Sequence, residues 1–227
     1  NEMKRPIFKI KDLSFDKNEL KILNIKKFDI HRSACYLFNG NMASGKTLLL
    51  DILSKNTLNY KGKIEFEGED FKKINKSEYK TEIMYVKQNF KAPYFKTVKS
   101  YIYSQINQYG SNQNSEKIIS DIVKVMDFKY IIDSKMRSLT PGQLRWVDLA
   151  SKIAAFPKVL FIDELELHLS MVKIKNLCKI LYRKVNYDGI TIIATTQNKE
   201  FFDALSSVCI NINHGRITSV RSKNNKK

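Results

Sequence analysis

Apolar and charged residues alternate through Phe8–Ile10 and again through Ile64–Phe66. That period-two pattern predicts half-exposed antiparallel strands near the start of the chain. Cys35–Phe38, Val159–Asp163 and Thr191–Thr195 are instead continuous apolar runs, and Ile83–Lys87 is a further strand-length one. Such runs fit strands buried on both faces, as in a parallel sheet covered by helices. Ile174, Leu177, Cys178, Leu181, Tyr182 and Val185 recur at helical spacing and give one wide apolar face. Ile118, Ile119, Ile122, Val123 and Met126 give another, and the polar stretch Tyr109–Ser115 before it reads as a loop. Strands alternate with helices in the first and last thirds, with helices alone between. The pattern predicts an α/β fold with an inserted helical lobe.

Composition narrows this picture. The chain has 227 residues, 43% of them hydrophobic, which suits one domain of two lobes with a sizeable core. No apolar run approaches the roughly 18–20 residues of a membrane-spanning helix, and no secretory leader is expected from the charged start. Cys35, Cys178 and Cys209 lie far apart without CxxC spacing, so reduced, buried thiols in a cytosolic protein are expected. The net charge of +17 would suit a nucleic acid or an anionic membrane surface. A composition rich in Lys, Asn and Ile together, as an AT-rich genome produces, accounts for it as well. Lys63-Ile-Glu65-Phe-Glu67 interleaves signs as a solvated strand does. Only the end is one-signed: no acid follows Asp203, while Arg216, Arg221, Lys223, Lys226 and Lys227 do.

The clearest chemistry is Gly40-Asn-Met-Ala-Ser-Gly45-Lys46-Thr47, which matches G-x-x-x-x-G-K-[ST] between an apolar strand and the helix-like Leu48–Leu53. Glycines let successive N–H groups curl round phosphate oxygens while the next helix points its N-terminus at the charge. Lys46 is expected to bridge the β- and γ-phosphates and Thr47 to place its hydroxyl on Mg²⁺. Asn41, Ala43, Ser44, Gly45 and Leu48 complete the expected cradle. The motif alone indicates an NTPase.

Four elements follow in order. Gln88 ends the strand at Ile83–Lys87; Leu139-Thr140-Pro141-Gly142-Gln143 opens a helix; Asp163-Glu164 ends the run begun at Val159; Gln197 follows Thr191–Thr196. Asp163 lies twenty residues after Gln143, room for a helix, a turn at Pro157 and a strand. Together these strongly resemble the nucleotide-binding domain of ATP-binding cassette (ABC) proteins, over nearly the whole chain. The fold implied is an ABC-type P-loop NTPase: a RecA-like parallel-sheet core, an N-terminal antiparallel β subdomain and an inserted helical subdomain. The expected divisions are 1–95 with 151–220 for the core, 96–150 for the helical lobe and 221–227 for a basic tail.

The resemblance also implies roles. Asp163 would hold Mg²⁺, Glu164 would polarise the attacking water, and Gln88 would touch metal and nucleophile at the hinge to the lobe. Phe15 falls where the family stacks an aromatic ring on adenine. Thr140, Gly142 and Gln143 would reach across a dimer interface to the partner's ATP. His214-Gly215-Arg216-Ile217 resembles the family's turn before its last strand. Thr140, Pro141 and Gln143 also form a capping-box pattern by themselves.

The chain departs from the family at several points. Thr140-Pro141 stands for Ser-Gly, so one N–H donor is lost; Leu48 replaces a hydroxyl residue; Leu165 and Ser170 replace a Pro and an Asp. Gln197 takes the place of the histidine and joins Glu164 and Gln88 as an expected catalytic residue. Glu164–Leu169 echoes RecF-like DNA-repair ABC ATPases, although His168 reads as an ordinary loop residue. The expected function is ATP binding and slow hydrolysis, with ATP and Mg²⁺ as cofactors, energising a membrane transporter from its cytoplasmic face. Expected partners are a second ABC subunit, identical or different, and an integral membrane protein contacting Phe90–Tyr103. The alternative is a soluble ABC ATPase acting on nucleic acid or another assembly.

Overall fold

The computed structural model describes residues 5–108 and 114–223. Two sheets organise them. In the first, β1 (Phe8–Lys17) pairs antiparallel with β2 (Leu20–Ile30) on one side and β4 (Lys61–Phe66) on the other, and β5 (Glu69–Asp70) closes the edge. In the second, β6 (Ile83–Val86), β7 (Val159–Ile162), β8 (Thr191–Thr196), β3 (Cys35–Asn39) and β9 (Val208–Asn213) run parallel. The antiparallel β10 (Arg216–Ser222) forms the far edge. The expected antiparallel and parallel parts are therefore both present. Arg221 and Ser222, expected in a free tail, belong to β10, paired with Cys209 and Val208, because the strand extends the sheet beyond the turn at Gly215. Lys226 and Lys227 lie outside the described residues.

The continuous apolar runs have a direct explanation. In β3, Cys35 and Leu37 enter one core while Tyr36 and Phe38 enter another; in β7, Leu160 and Ile162 part from Val159 and Phe161 in the same way. Both faces of the sheet are thus buried, and no position in these strands can be polar without cost. One core contains α1 (Lys46–Leu53) and the antiparallel sheet. The other contains α6 (Met171–Asn186) and the three lobe helices, α3 (Val98–Asn107), α4 (Ser115–Met126) and α5 (Pro141–Ala154). A short α2 (Lys76–Glu82) precedes β6.

Helix faces follow the periodicity with one exception. Tyr182, assigned to the apolar stripe of α6, is largely exposed, because it stands at the stripe's edge where the core no longer reaches. Of the expected loop, residues 109–113 lie outside the described residues. Asn114 caps α4 by accepting the Lys117 N–H, and Ser115 is already helical. All three cysteines are free; Cys35 and Cys178 are buried, and burial pushes the Cys178 thiol up to about 11. Cys209, expected buried, is only partly so because β9 lies next to the edge strand β10.

Within the lobe, α3 and α5 share a buried polar cluster. The Tyr101 hydroxyl donates to Asp148 at 2.7 Å, and Lys152 donates to the Tyr101 oxygen at 2.8 Å and pairs with Asp148 at 3.1 Å. Trp146 of α5 donates its indole N–H to Met126 O at the end of α4. Because β3, β6, β7 and β8 are parallel, their carboxyl ends share one edge of the sheet. The loop after β3, Gln88, the Asp163-Glu164 pair and Gln197 all leave from that edge, where α/β sheets hold ligands.

Candidate functional site

The loop between β3 and α1 is shaped by backbone conformation. Ala43 and Gly45 both have positive φ, 58° and 95°. A side chain at Gly45 would be strained by that φ and crowded by Ile22 O at 3.1 Å and the Gly215 Cα at 3.2 Å. The turn between β9 and β10 buttresses the loop: Gly215 N–H donates to Ser44 O at 2.9 Å, and Gly215 O accepts from Asn24 of β2 at 2.8 Å. The late turn at His214-Gly215 therefore supports the phosphate loop. A cavity of about 370 Å³ opens beside it, lined chiefly by Met42–Leu48, Ile22, Gln88 and Glu164. A larger cavity of about 500 Å³ over α6, lined by Asn176, Lys179, Arg183, Tyr187 and Asp188 among others, shares no residue with the phosphate loop.

Lys46 is buried, and its ammonium folds onto Gly40 O, Asn41 O (2.8 Å) and Ser44 Oγ (3.3 Å). Burial lowers its pKa, against the pull of Glu164, Asp163 and Glu166. A cation held by two carbonyls and a hydroxyl, with no carboxylate among the described residues bonded to it, is poised to exchange them for an anion.

Asp163 is 1% exposed and fully engaged. Its Oδ2 accepts from Thr47 Oγ1 at 2.8 Å and from Gln88 Nε2 at 2.9 Å, and its Oδ1 accepts from Thr195 Oγ1 at 2.6 Å. Gln88 Nε2 also lies 3.3 Å from Thr47 Oγ1. Three groups from separate elements, α1, the end of β6 and the end of β7, thus meet at one point.

Glu164 is held in a left-handed conformation, φ 52°. Its N–H donates to Thr195 Oγ1 at 2.8 Å and its Oε1 accepts from Gln197 Nε2 at 2.6 Å. Leu165 donates its N–H to Thr195 O at 3.0 Å, a bond that the proline expected there could not make. Ser170 accepts the Lys173 N–H and caps α6.

Thr140, Gly142 and Gln143 do not line this cavity. They form the N-terminus of α5, with Pro141 and Thr140 exposed. The capping box is present: Gln143 N–H donates to Thr140 Oγ1 at 3.2 Å and Thr140 N–H to Gln143 Oε1 at 3.0 Å. Leu144 N–H goes to Thr140 O. With no N–H on Pro141, Gly142 N–H is the first-turn donor that these bonds do not use. A Cβ on Gly142 would stand 3.0 Å from His168 O, so the loop after Glu164 packs against this helix end. Phe15 is half-buried in β1 opposite Leu23 and packs against the antiparallel-sheet core; Ile22 stands in the cavity wall instead.

Three residues of the site escaped sequence reasoning. Thr195 holds Asp163 and Glu164 together. Glu166 accepts from Thr196 Oγ1 (2.9 Å) and Gln197 N–H (2.9 Å), fixing the turn that aims Gln197. Arg145 of α5 reaches the carbonyls beside Gln88, Asp163 and Glu164. Glu166 could have been found as a third acid in the run Glu164-Leu-Glu166. Thr195 and Arg145 lie in other elements, joined to the pair only by the fold.

The family model described as ABC transporter matches residues 23–166. The probable ABC transporter ATP-binding protein of Mesomycoplasma hyorhinis is 28% identical over 215 residues, covering 85% of this chain and 83% of that one. A putative ABC transporter ATP-binding protein of Clostridium tetani is 26% identical over 203 residues, covering 88% of this chain; the chain spans only 46% of that relative's length. The fold matches a dimeric ATP-binding cassette solved in a post-hydrolysis state with ADP and Pi, at TM-score 0.84 and 18% identity, over 96% of this chain and 99% of that one.

Proposed function

Because the chain belongs to the ABC transporter family, we propose that it binds and hydrolyses ATP to energise a membrane transporter or membrane-coupled complex, working as a dimer with a second cassette subunit. The observation that carries this reading is the meeting of Thr47, Gln88 and Asp163 beside the phosphate loop, with Glu164 held next to it.

The Thr47 hydroxyl and the Asp163 carboxylate are oxygen ligands suited to Mg²⁺, and the Gln88 amide, which points Nε2 at both of them here, would turn its Oε1 to the ion, so Thr47, Gln88 and Asp163 would hold it. When bound, the ion neutralises phosphate charge. Lys46 exchanges the Gly40 and Asn41 carbonyls for phosphate oxygens, and the N–H groups of residues 41–48 cradle the rest. Glu164 orients the attacking water and takes up its proton. Gln197 fixes the Glu164 carboxylate by a neutral hydrogen bond. Gln amides neither carry charge nor shuttle protons, so turnover by the isolated chain is slow.

The α5 N-terminus with Thr140, Gly142 and Gln143 serves the partner's nucleotide, and Phe15 the adenine of its own. Pro141 leaves that end one donor short, which favours a partner cassette that supplies a stronger site. The whole chain acts as one domain, with 96–150 as the partner-facing lobe. The membrane component docks on Phe90–Tyr103, where Tyr94, Phe95 and Tyr103 are exposed, with Arg137 stacked 4.2 Å over Tyr94. Attachment to the cytoplasmic face through that partner is part of this proposal; among the described residues no helix is long and apolar enough to cross a membrane. Both relatives named above are ABC transporter ATP-binding proteins by name, which supports this reading over one centred on nucleic acid.

Co-purification from membranes tests the partner. A membrane protein retained by the native chain and lost on Phe95→Glu is the expected result. Tight DNA binding with a steep salt dependence, and no membrane partner, would contradict it.

A further inference from the structure

Arg145 does not line the cavity beside the phosphate loop. It lies on α5, is 5% exposed, and its guanidinium meets main-chain oxygens. Nη1 donates to Lys87 O at 3.0 Å; Nη2 donates to Asp163 O at 2.8 Å and Glu164 O at 2.6 Å. These carbonyls lie just past the ends of β6 and β7, where the ladder's last bond is Asp163 N–H to Val86 O. Past the last paired residues, Val86 and Ile162, the two strands carry Gln88, Asp163 and Glu164. One planar fork therefore spans the gap that β-pairing no longer closes. It also grips the carbonyl of a glutamate in the left-handed region, where a non-glycine residue needs outside support.

We infer that Arg145 is a positioning residue for hydrolysis: it ties the helix that begins at Thr140–Gln143 to the backbone of Lys87, next to Gln88, and of Asp163 and Glu164, so that the placement of α5 is read out as the placement of the carboxylate. The inference rests on the reading of Glu164 as the group that polarises water. Its physical content is geometric. Lysine keeps the charge but offers a point of donors on a flexible stem, and it cannot span carbonyls from two strands as the fork does. Nucleotide affinity comes mainly from the phosphate loop, which Arg145 does not touch, so a loosened fork acts on turnover and leaves binding in place.

The test compares Arg145→Lys with the native chain in ATP affinity by calorimetry and in steady-state turnover, well below the melting temperature of each. The expected result is an affinity within about threefold and a kcat lower by at least about thirtyfold, on the scale of losing a well-placed active-site contact. In Arg145→Ala, added ethylguanidinium is expected to restore part of the rate. If the lysine variant does not fold, Arg145→Gln is read in the same way. Native turnover in the variant overturns the proposal. So does a parallel loss of binding and turnover that ethylguanidinium leaves unchanged, which marks a purely structural residue. Glu164→Gln is assayed alongside. If it hydrolyses ATP normally, the reading of Glu164 fails and takes this inference with it. If it is inactive while Arg145→Lys is native, the inference alone fails.

Discussion

Gln197 Nε2 donates to Glu164 Oε1 at 2.6 Å, so the side chain at the position expected for the family's histidine is bonded to the carboxylate proposed to activate water. The bond orients Glu164 without adding charge. Gln197→Ala is expected to lower kcat about 10- to 100-fold, with ATP affinity within about threefold, since one oriented contact is lost. Gln197→His is expected to raise the turnover of the native chain. A native rate in the alanine variant and no gain from histidine would dissociate residue 197 from catalysis.

Thr195 holds two groups with one hydroxyl, donating to Asp163 Oδ1 and accepting the Glu164 N–H. It is fully buried. Thr195→Val keeps the shape and leaves a buried carboxylate oxygen and an N–H without that partner, at a cost of about 1–3 kcal/mol. Chemical denaturation should show the loss, and turnover should fall with it. Thr195→Ser should retain most of both.

Much of this was legible in the chain. The runs Cys35–Phe38 and Val159–Ile162 announced strands buried on both faces, the phosphate loop and the Thr140–Gln143 capping box could be read from spacing, and Asp163-Glu164 took its expected roles only from the resemblance to the ABC family. Local geometry makes such features, so local sequence reports them. Thr195 and Arg145 were not legible. Thr195's partners lie 31 and 32 residues away and Arg145's 18, 19 and 58, and their roles arise only when parallel strands bring separate loops to one edge. Tyr182 misled for a related reason: periodicity gives the direction of a side chain, while the extent of the neighbouring core decides whether it is covered.

Lys46→Ala removes the cation from a site built for several negative charges. Mg·ATP affinity is expected to fall at least about tenfold, equivalent to about 1.4 kcal/mol. Calorimetry checks this, and unchanged affinity would remove Lys46 from the phosphate site.

Lys80 gives a pH signature outside the site. Burial, with Lys87 and Lys76 nearby, lowers its pKa to about 8, and its ammonium donates to Asn56 Oδ1. Between that value and the ordinary lysine value of about 10.4 the unfolded chain holds a proton that the folded chain has released. Stability from this group therefore rises with pH across that window and is absent below it. Relative to Lys80→Met, the native chain should gain melting temperature as pH increases from about 8 to about 10. A constant difference between the two would contradict the shift.

The central claim is that this chain binds ATP and hydrolyses it with Glu164. Glu164→Gln preserves shape and hydrogen bonding while removing the charge that polarises water. Single-turnover hydrolysis of Mg·ATP, followed with size-exclusion chromatography on the same samples, is the most direct test. The account predicts that the variant binds ATP as the native chain does, hydrolyses it at least about a hundredfold more slowly, and elutes as an ATP-dependent dimer, alone or with its partner cassette. Hydrolysis at the native rate, with no ATP-dependent change in size, would contradict it.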